Sequence, residues 1–107
     1  MLRNNILSLF KNGKVIYRYP LRATFISGKG DVIVSVPKRL FKRAVKRNLL
    51  KRRIREAFRH NSDILRGASF DIFFYYTSPQ IESYERISES VSAILTDMVA
   101  GTVDKGI

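Results

Sequence analysis

The chain contains no cysteine and a single histidine, His60. Without cysteine there is no disulfide staple and no thiolate chemistry, and a reducing, cytoplasmic setting is expected. One histidine cannot build a His-rich metal or acid–base constellation. Carboxylates are also scarce, nine Asp and Glu against twenty Lys and Arg. Asp63 and Asp71 stand alone, and Glu82, Glu85 and Glu89 fall on or beside the last predicted helix, so no pair has the spacing of a two-metal site. No catalytic residue and no protein-held metal are expected. His60 follows Arg59 at a predicted helix end and reads as a dipole partner or an exposed residue rather than a general base. No apolar run approaches the roughly 18 residues of a membrane span, so no membrane partner is expected. The opening MLRNNILSLFKNGK lacks the uninterrupted apolar core of a secretory signal.

What is present is apolar content and positive charge. With 107 residues, 45% of them hydrophobic, the chain is long enough for one self-sufficient domain, 1–107. Its net charge is +11. From Lys38 to Arg59 there are eleven Lys or Arg and one acid, Glu56, whereas the rest of the chain carries nine basic and eight acidic residues. Charge gathered into about a fifth of a chain makes a local positive field, whose natural partners are polyanions.

There is no internal repeat, low-complexity tract or linker. Asn4 to Phe10 suits a short helix with Ile6 and Phe10 on one face, stopped by Asn12-Gly13. Lys14 to Ile26 alternates: Val15, Tyr17, Tyr19, Leu21, Ala23 and Phe25 on one side, a more polar set on the other. This predicts one strand with a buried face and an edge or bend at Pro20. Ser27-Gly28-Lys29-Gly30 is turn chemistry, and DVIVSV (31–36) predicts a second strand closing a hairpin with the first. After the basic segment, 60–69 reads as a connection. FDIFFYYT (70–77) reads as a central strand buried on both faces. From Ser83 to Val99, Tyr84, Ile87, Val91, Ile94, Leu95 and Met98 form one helical stripe. The order α-β-β-α-β-α predicts an α+β fold, a central, mostly antiparallel sheet packed by helices.

On a helix from Ala44 to Arg59, Leu50, Ile54, Ala57 and Phe58 occupy a sector of about 100°, and Asn48, Lys51, Arg52, Arg55 and Arg59 occupy another nearly opposite. One face docks; the other presents four cations and an amide. The like-charge pairs Lys51/Arg55 and Arg55/Arg59 cost a few tenths of a kcal/mol each. The docked stripe bears this readily, at roughly 1.5–3 kcal/mol per buried Leu or Ile. An ordinary solvated face mixes Glu with Lys. This one is rich in Arg, whose planar fork suits phosphate oxygens, and Asn48 adds a donor and acceptor for a sugar or base edge. A basic helix also suits a DNA major groove, but a helix-turn-helix is built of helices, and this helix lies among strands.

KRAVKRNLLKRRIREAFR resembles the signature of the bacterial ribonuclease P protein subunit, Arg-Asn-x-x-Lys-Arg-x-x-Arg, here Arg47, Asn48, Lys51, Arg52 and Arg55. The preceding VIVSVPKRLFKRAV, the upstream ILSLFKNGK, FDIFFYY and the final amphipathic helix fit in the same order across essentially the whole chain. Leu49 stands where the family usually has a third basic residue, with Lys46 and Arg53 nearby. The short basic arm many members carry before the first helix is missing, and contacts made by that arm are not expected. The resemblance implies a ribosomal protein domain-like sheet with a left-handed β-α-β crossover. It implies an accessory subunit, a monomer in the ribonucleoprotein, that binds the catalytic RNA and the 5′ leader of precursor tRNA while the RNA holds Mg²⁺ and performs the cleavage. Pattern and resemblance together give an RNA-binding set of Lys38, Arg39, Arg43, Lys46, Arg47, Asn48, Lys51, Arg52, Arg55 and Arg59. The leader groove implied between the first helix and the open sheet face takes Ile6 and Phe10, positions where members often carry aromatics, with Arg22 and Thr24 from the polar side of the first strand. The competing reading is a ribosomal or general structural RNA-binding protein, which the same basic helix and small fold would suit.

Overall fold

The structure, a computed structural model, describes residues 9–105, with side chains as far as Gly101. Residues 9–12 form a helical turn; the rest of the first predicted helix, Ile6 included, lies outside the described residues. There follow β1 (Lys14–Arg18), β2 (Leu21–Ser27), β3 (Val32–Ser35), α1 (Ala44–Asn61), a 3₁₀ turn (Ser62–Leu65), β4 (Phe70–Tyr76) and α2 (Tyr84–Lys105). The sheet order is β1-β2-β4-β3. β1 and β4 both run antiparallel to β2, and β3 runs parallel to β4. The segment β3–α1–β4 is therefore a crossover between adjacent parallel strands.

Two of the expected strand assignments change. The stretch 14–26 is not one strand but a hairpin, turning at a cis Tyr19-Pro20 bond so that Arg18 faces Leu21 and Ile16 faces Ala23. Thr77 donates to the Pro20 carbonyl from its backbone N–H at 2.9 Å and from its hydroxyl at 3.0 Å. Paired residues share a face, so the turn exchanges odd and even positions. Leu21, Ala23 and Phe25 are buried, whereas Val15 and Tyr17 are 60% and 58% exposed. Nor do β2 and β3 form a hairpin, because β4 lies between them. The buried Asp71 of β4 explains how the 28–31 loop accepts this: its Oδ1 takes the N–H groups of Lys29, Gly30 and Asp31 at 3.1, 3.1 and 3.0 Å. Gly28 is needed at the approach, since a Cβ there would stand 2.2 Å from Asp71 Oδ2, and Gly30 adopts φ +100°.

The helices cover one face of the sheet. Leu50, Ile54 and Ala57 of α1 and Ile87, Val91, Ile94, Leu95 and Met98 of α2 are buried with Leu21, Ala23, Phe25, Ile72, Phe74 and Tyr76. Phe58 meets Phe74 edge-on with ring centroids 6.0 Å apart. β4 is central, as expected, but buried fully on one face only: Phe73 and Tyr75 point to the uncovered face and are half-buried. α1 runs two residues beyond its expected end, and the chain leaves the 3₁₀ turn through Arg66 at φ 52° and Gly67 at φ 83°. Arg18 ties β1 to α2 through Asp97 at 2.6 Å. Among the described residues no helix is long and apolar enough to cross a membrane.

Candidate nucleic-acid interface

α1 is one unbroken helix of 18 residues whose first turn holds no acid. On its outward side Lys46, Asn48, Arg52, Arg55 and Arg59 are exposed and Lys51 is half-buried; Lys38, Arg39 and Arg43 are exposed in the approach to the helix. The side chains of Lys38, Arg43, Lys46, Lys51, Arg52 and Arg55 make no ion pair or hydrogen bond with the described residues. Only Arg59 in this set meets an acid, Glu56, at 2.7 Å. That hydrogen bond holds the Glu56 carboxyl below its ordinary value and pushes the Arg59 guanidinium up. His60, next along, has Nδ1 2.5 Å from the Tyr84 hydroxyl and Nε2 3.9 Å from Glu56.

Two arginines turn inward. Arg47 spends one guanidinium nitrogen on its own loop, donating to the carbonyls of Phe41 and Lys42 at 2.7 and 2.8 Å. Arg53 donates to the Glu82 carbonyl at 2.7 Å. The Phe41 and Glu82 carbonyls lie in part-buried bonds, where a carbonyl needs a donor, and these side chains supply it. The cations offered outward by the helix are thus Lys46, Lys51, Arg52 and Arg55, with Arg59 partly neutralised.

The uncovered sheet face carries a second group of residues. Cross-strand register sets Val15, Thr24, Phe73 and Ile33 in one row and Tyr17, Arg22, Tyr75 and Ser35 in the next. Phe10, 55% exposed, stands edge-on to Phe73 at 5.1 Å. The Arg22 guanidinium lies over the Tyr75 ring, 4.6 Å from its centroid, and Arg39 donates to the Tyr75 hydroxyl at 3.3 Å. Thr24 is buried rather than open to the face; the 9–13 turn closes over it, so near that a Cβ on Gly13 would stand 3.0 Å from its methyl. Tyr17, Phe73 and Tyr75 were not anticipated from the sequence. Apparent continuity of the 14–26 alternation hid Tyr17, and the unbroken apolar run of β4 hid the other two. Arg39 joins the two regions, since it precedes α1 and touches the sheet face. Among the described residues, no group of three or more His, Asp or Glu is placed to hold a metal ion.

The family model described as Ribonuclease P matches residues 2–99 of this chain. The chain belongs to the ribonuclease P protein family. A Porphyromonas gingivalis relative, "Ribonuclease P protein component", is 33% identical over 114 aligned positions, covering 95% of this chain and 82% of the relative. A solved ribonuclease P protein from Thermotoga maritima superposes with a TM-score of 0.79 at 24% identity, covering 91% of this chain and 94% of that one. One from Staphylococcus aureus gives 0.77 at 21% identity, with 92% of each chain covered. These two likenesses concern the fold. Ribonuclease P is an endoribonuclease that works as a ribonucleoprotein, and the chain is its non-catalytic protein component, partnered with ribonuclease P RNA.

Proposed function

We propose that the outward face of α1 grips the phosphate backbone of ribonuclease P RNA, while the uncovered sheet face receives the 5′ leader of precursor tRNA. The observation that carries this reading is the exposure of Lys46, Arg52 and Arg55 without an acid to meet them, on a helix whose other face is buried. Unneutralised cations along about three turns match the spacing of a polyanion and release its counterions. On the sheet face, Phe10, Tyr17, Phe73 and Tyr75 offer rings for bases, with Arg22 and Arg39 at hand for phosphates. Ile6 belongs to this groove by the resemblance. The bound RNA holds the Mg²⁺ and performs hydrolysis; this chain contributes binding and orientation. It works as a monomeric, single RNA-binding domain in the cytoplasm.

Reconstitution tests this. At low Mg²⁺, ribonuclease P RNA with this chain should remove the leader from precursor tRNA, and neither component should do so alone. Full activity of the RNA without the chain under those conditions, or cleavage by the chain alone, would contradict it.

A further inference from the structure

Beside the start of α1 the surface folds into a cleft of about 580 Å³, in the size range of small-ligand sites. Its two sides differ in chemistry. Lys42, Arg43 and Lys46 line one together with Leu40 and Phe41; the three cations are exposed, and none has a side-chain partner among the described residues. Pro79 and Ile81 line the other, with Ile81 40% exposed, and Gln80 between them has its side-chain amide unengaged.

Both sides are braced from behind. Arg47 fixes the first through the Phe41 and Lys42 carbonyls. The second is pinned by the Tyr76 hydroxyl, which donates to the Gln80 carbonyl at 2.6 Å and accepts from the Glu82 N–H at 3.0 Å. Arg53 adds its bond to the Glu82 carbonyl. The two inward arginines thus brace the backbone beside both parts of the lining, which preorganises the cleft.

Cations from one lining segment and apolar surface from the other suit a ligand that is anionic at one end and flat and apolar at the other. A bare anion gains nothing from Pro79 and Ile81, and an apolar peptide gains nothing from three cations. We infer that this cleft receives one unpaired nucleotide of the bound RNA, its phosphate toward Lys42, Arg43 and Lys46, its base against Pro79 and Ile81, and a base edge read by the Gln80 amide. This rests on the RNA-binding reading of α1 and extends it from backbone contact to recognition of a single extruded residue.

The first test is an amide NMR titration of the full chain with adenosine 5′-monophosphate, uridine 5′-monophosphate and inorganic phosphate. The nucleotides should shift signals of Gln80 and Ile81 as well as 42–46, and phosphate only the latter. Nucleotides that leave Gln80 and Ile81 unmoved would overturn the proposal. The second test separates an RNA residue from a free nucleotide. Ile81→Ser and Gln80→Ala, both at exposed positions, should each weaken binding of ribonuclease P RNA by about fivefold, the lower end for loss of a base contact, with the salt slope unchanged. Nucleotide binding with unaltered RNA affinity would overturn the assignment to RNA. An Arg52→Ala/Arg55→Ala variant run alongside separates the two levels. If it weakens binding and the cleft variants do not, the cleft assignment falls and the α1 reading stands; if none of them weakens binding, the α1 reading itself falls.

Discussion

Replacing Arg52 and Arg55 together by Ala removes two exposed cations that make no hydrogen bond or ion pair with the described residues. The fold should not suffer. Surface changes of this kind lie within about 0.5 kcal/mol, and the like-charge repulsion of Arg55 with Lys51 and Arg59 is relieved. The effect should fall on RNA binding. Each neutralised phosphate contributes about 0.7–0.9 to the slope of log affinity against log salt, which at about 0.15 M relative to 1 M salt is roughly fivefold in affinity. The double variant should therefore bind ribonuclease P RNA about 25-fold more weakly near 0.15 M salt, approach the parent near 1 M, and show a slope shallower by about 1.5. With four to six phosphates contacted, the parent slope is expected at about −3 to −5. Fluorescence or filter-binding titrations from 0.1 to 0.6 M salt measure all of this. Arg53→Ala is the control for a single lost charge, because it removes one cation from the same helix at a residue bonded to the Glu82 carbonyl. It should cost about 1–3 kcal/mol of stability and leave the slope nearly unchanged. A double variant with an unaltered slope, or a loss of affinity equal at every salt concentration, would refute the assignment of the outward face.

Glu56→Gln frees Arg59 from its carboxylate and should strengthen RNA binding by up to about fivefold with a steeper salt slope; weaker binding in the same titration would count against it. Asp71→Ala strips the acceptor from three backbone N–H groups and should cost roughly 3 kcal/mol, seen as a melting temperature lower by roughly 12 °C or more. Burial pushes the Tyr76 phenol up from its ordinary value of 10.0. The folded state therefore favours the neutral phenol, so this contribution is intact below pH 10 and is lost as pH rises beyond it. Urea midpoints at pH 8 and pH 11 should fall further for the parent than for Tyr76→Phe, and equal falls would exclude Tyr76 as the source.

The helix to which RNA binding is assigned was readable because its two faces are written locally. Leu50, Ile54 and Ala57 repeat at helical spacing, and a stretch with eleven cations to one acid leaves little ambiguity about the opposite side. Sheet pairing was less legible. The 14–26 alternation continues through Tyr19-Pro20 as if nothing happened, yet the turn reverses the chain and swaps the faces, so Ile16 rather than Val15 meets the core. The β2–β3 hairpin failed because the partner of both strands is β4, far along the chain, and the loop's own donors are held by Asp71, which looked like an isolated carboxylate. Arg47 reads as an RNA contact from its motif, and Arg53 only as a cation near Leu49. Their bonds to backbone carbonyls depend on how loops come together in three dimensions, which no local spacing records.

The absence of cysteine permits the most direct test of the account, because a single introduced thiol can carry a tethered hydroxyl-radical source. Val45→Cys sits at the start of α1, at a position 77% exposed, and Val15→Cys sits on the uncovered sheet face, 60% exposed. In the reconstituted complex with precursor tRNA, radicals from position 45 should cut ribonuclease P RNA, and radicals from position 15 should cut the 5′ leader. Leader cuts from position 45 with RNA cuts from position 15, or no cuts from either, would contradict the placement of the two surfaces.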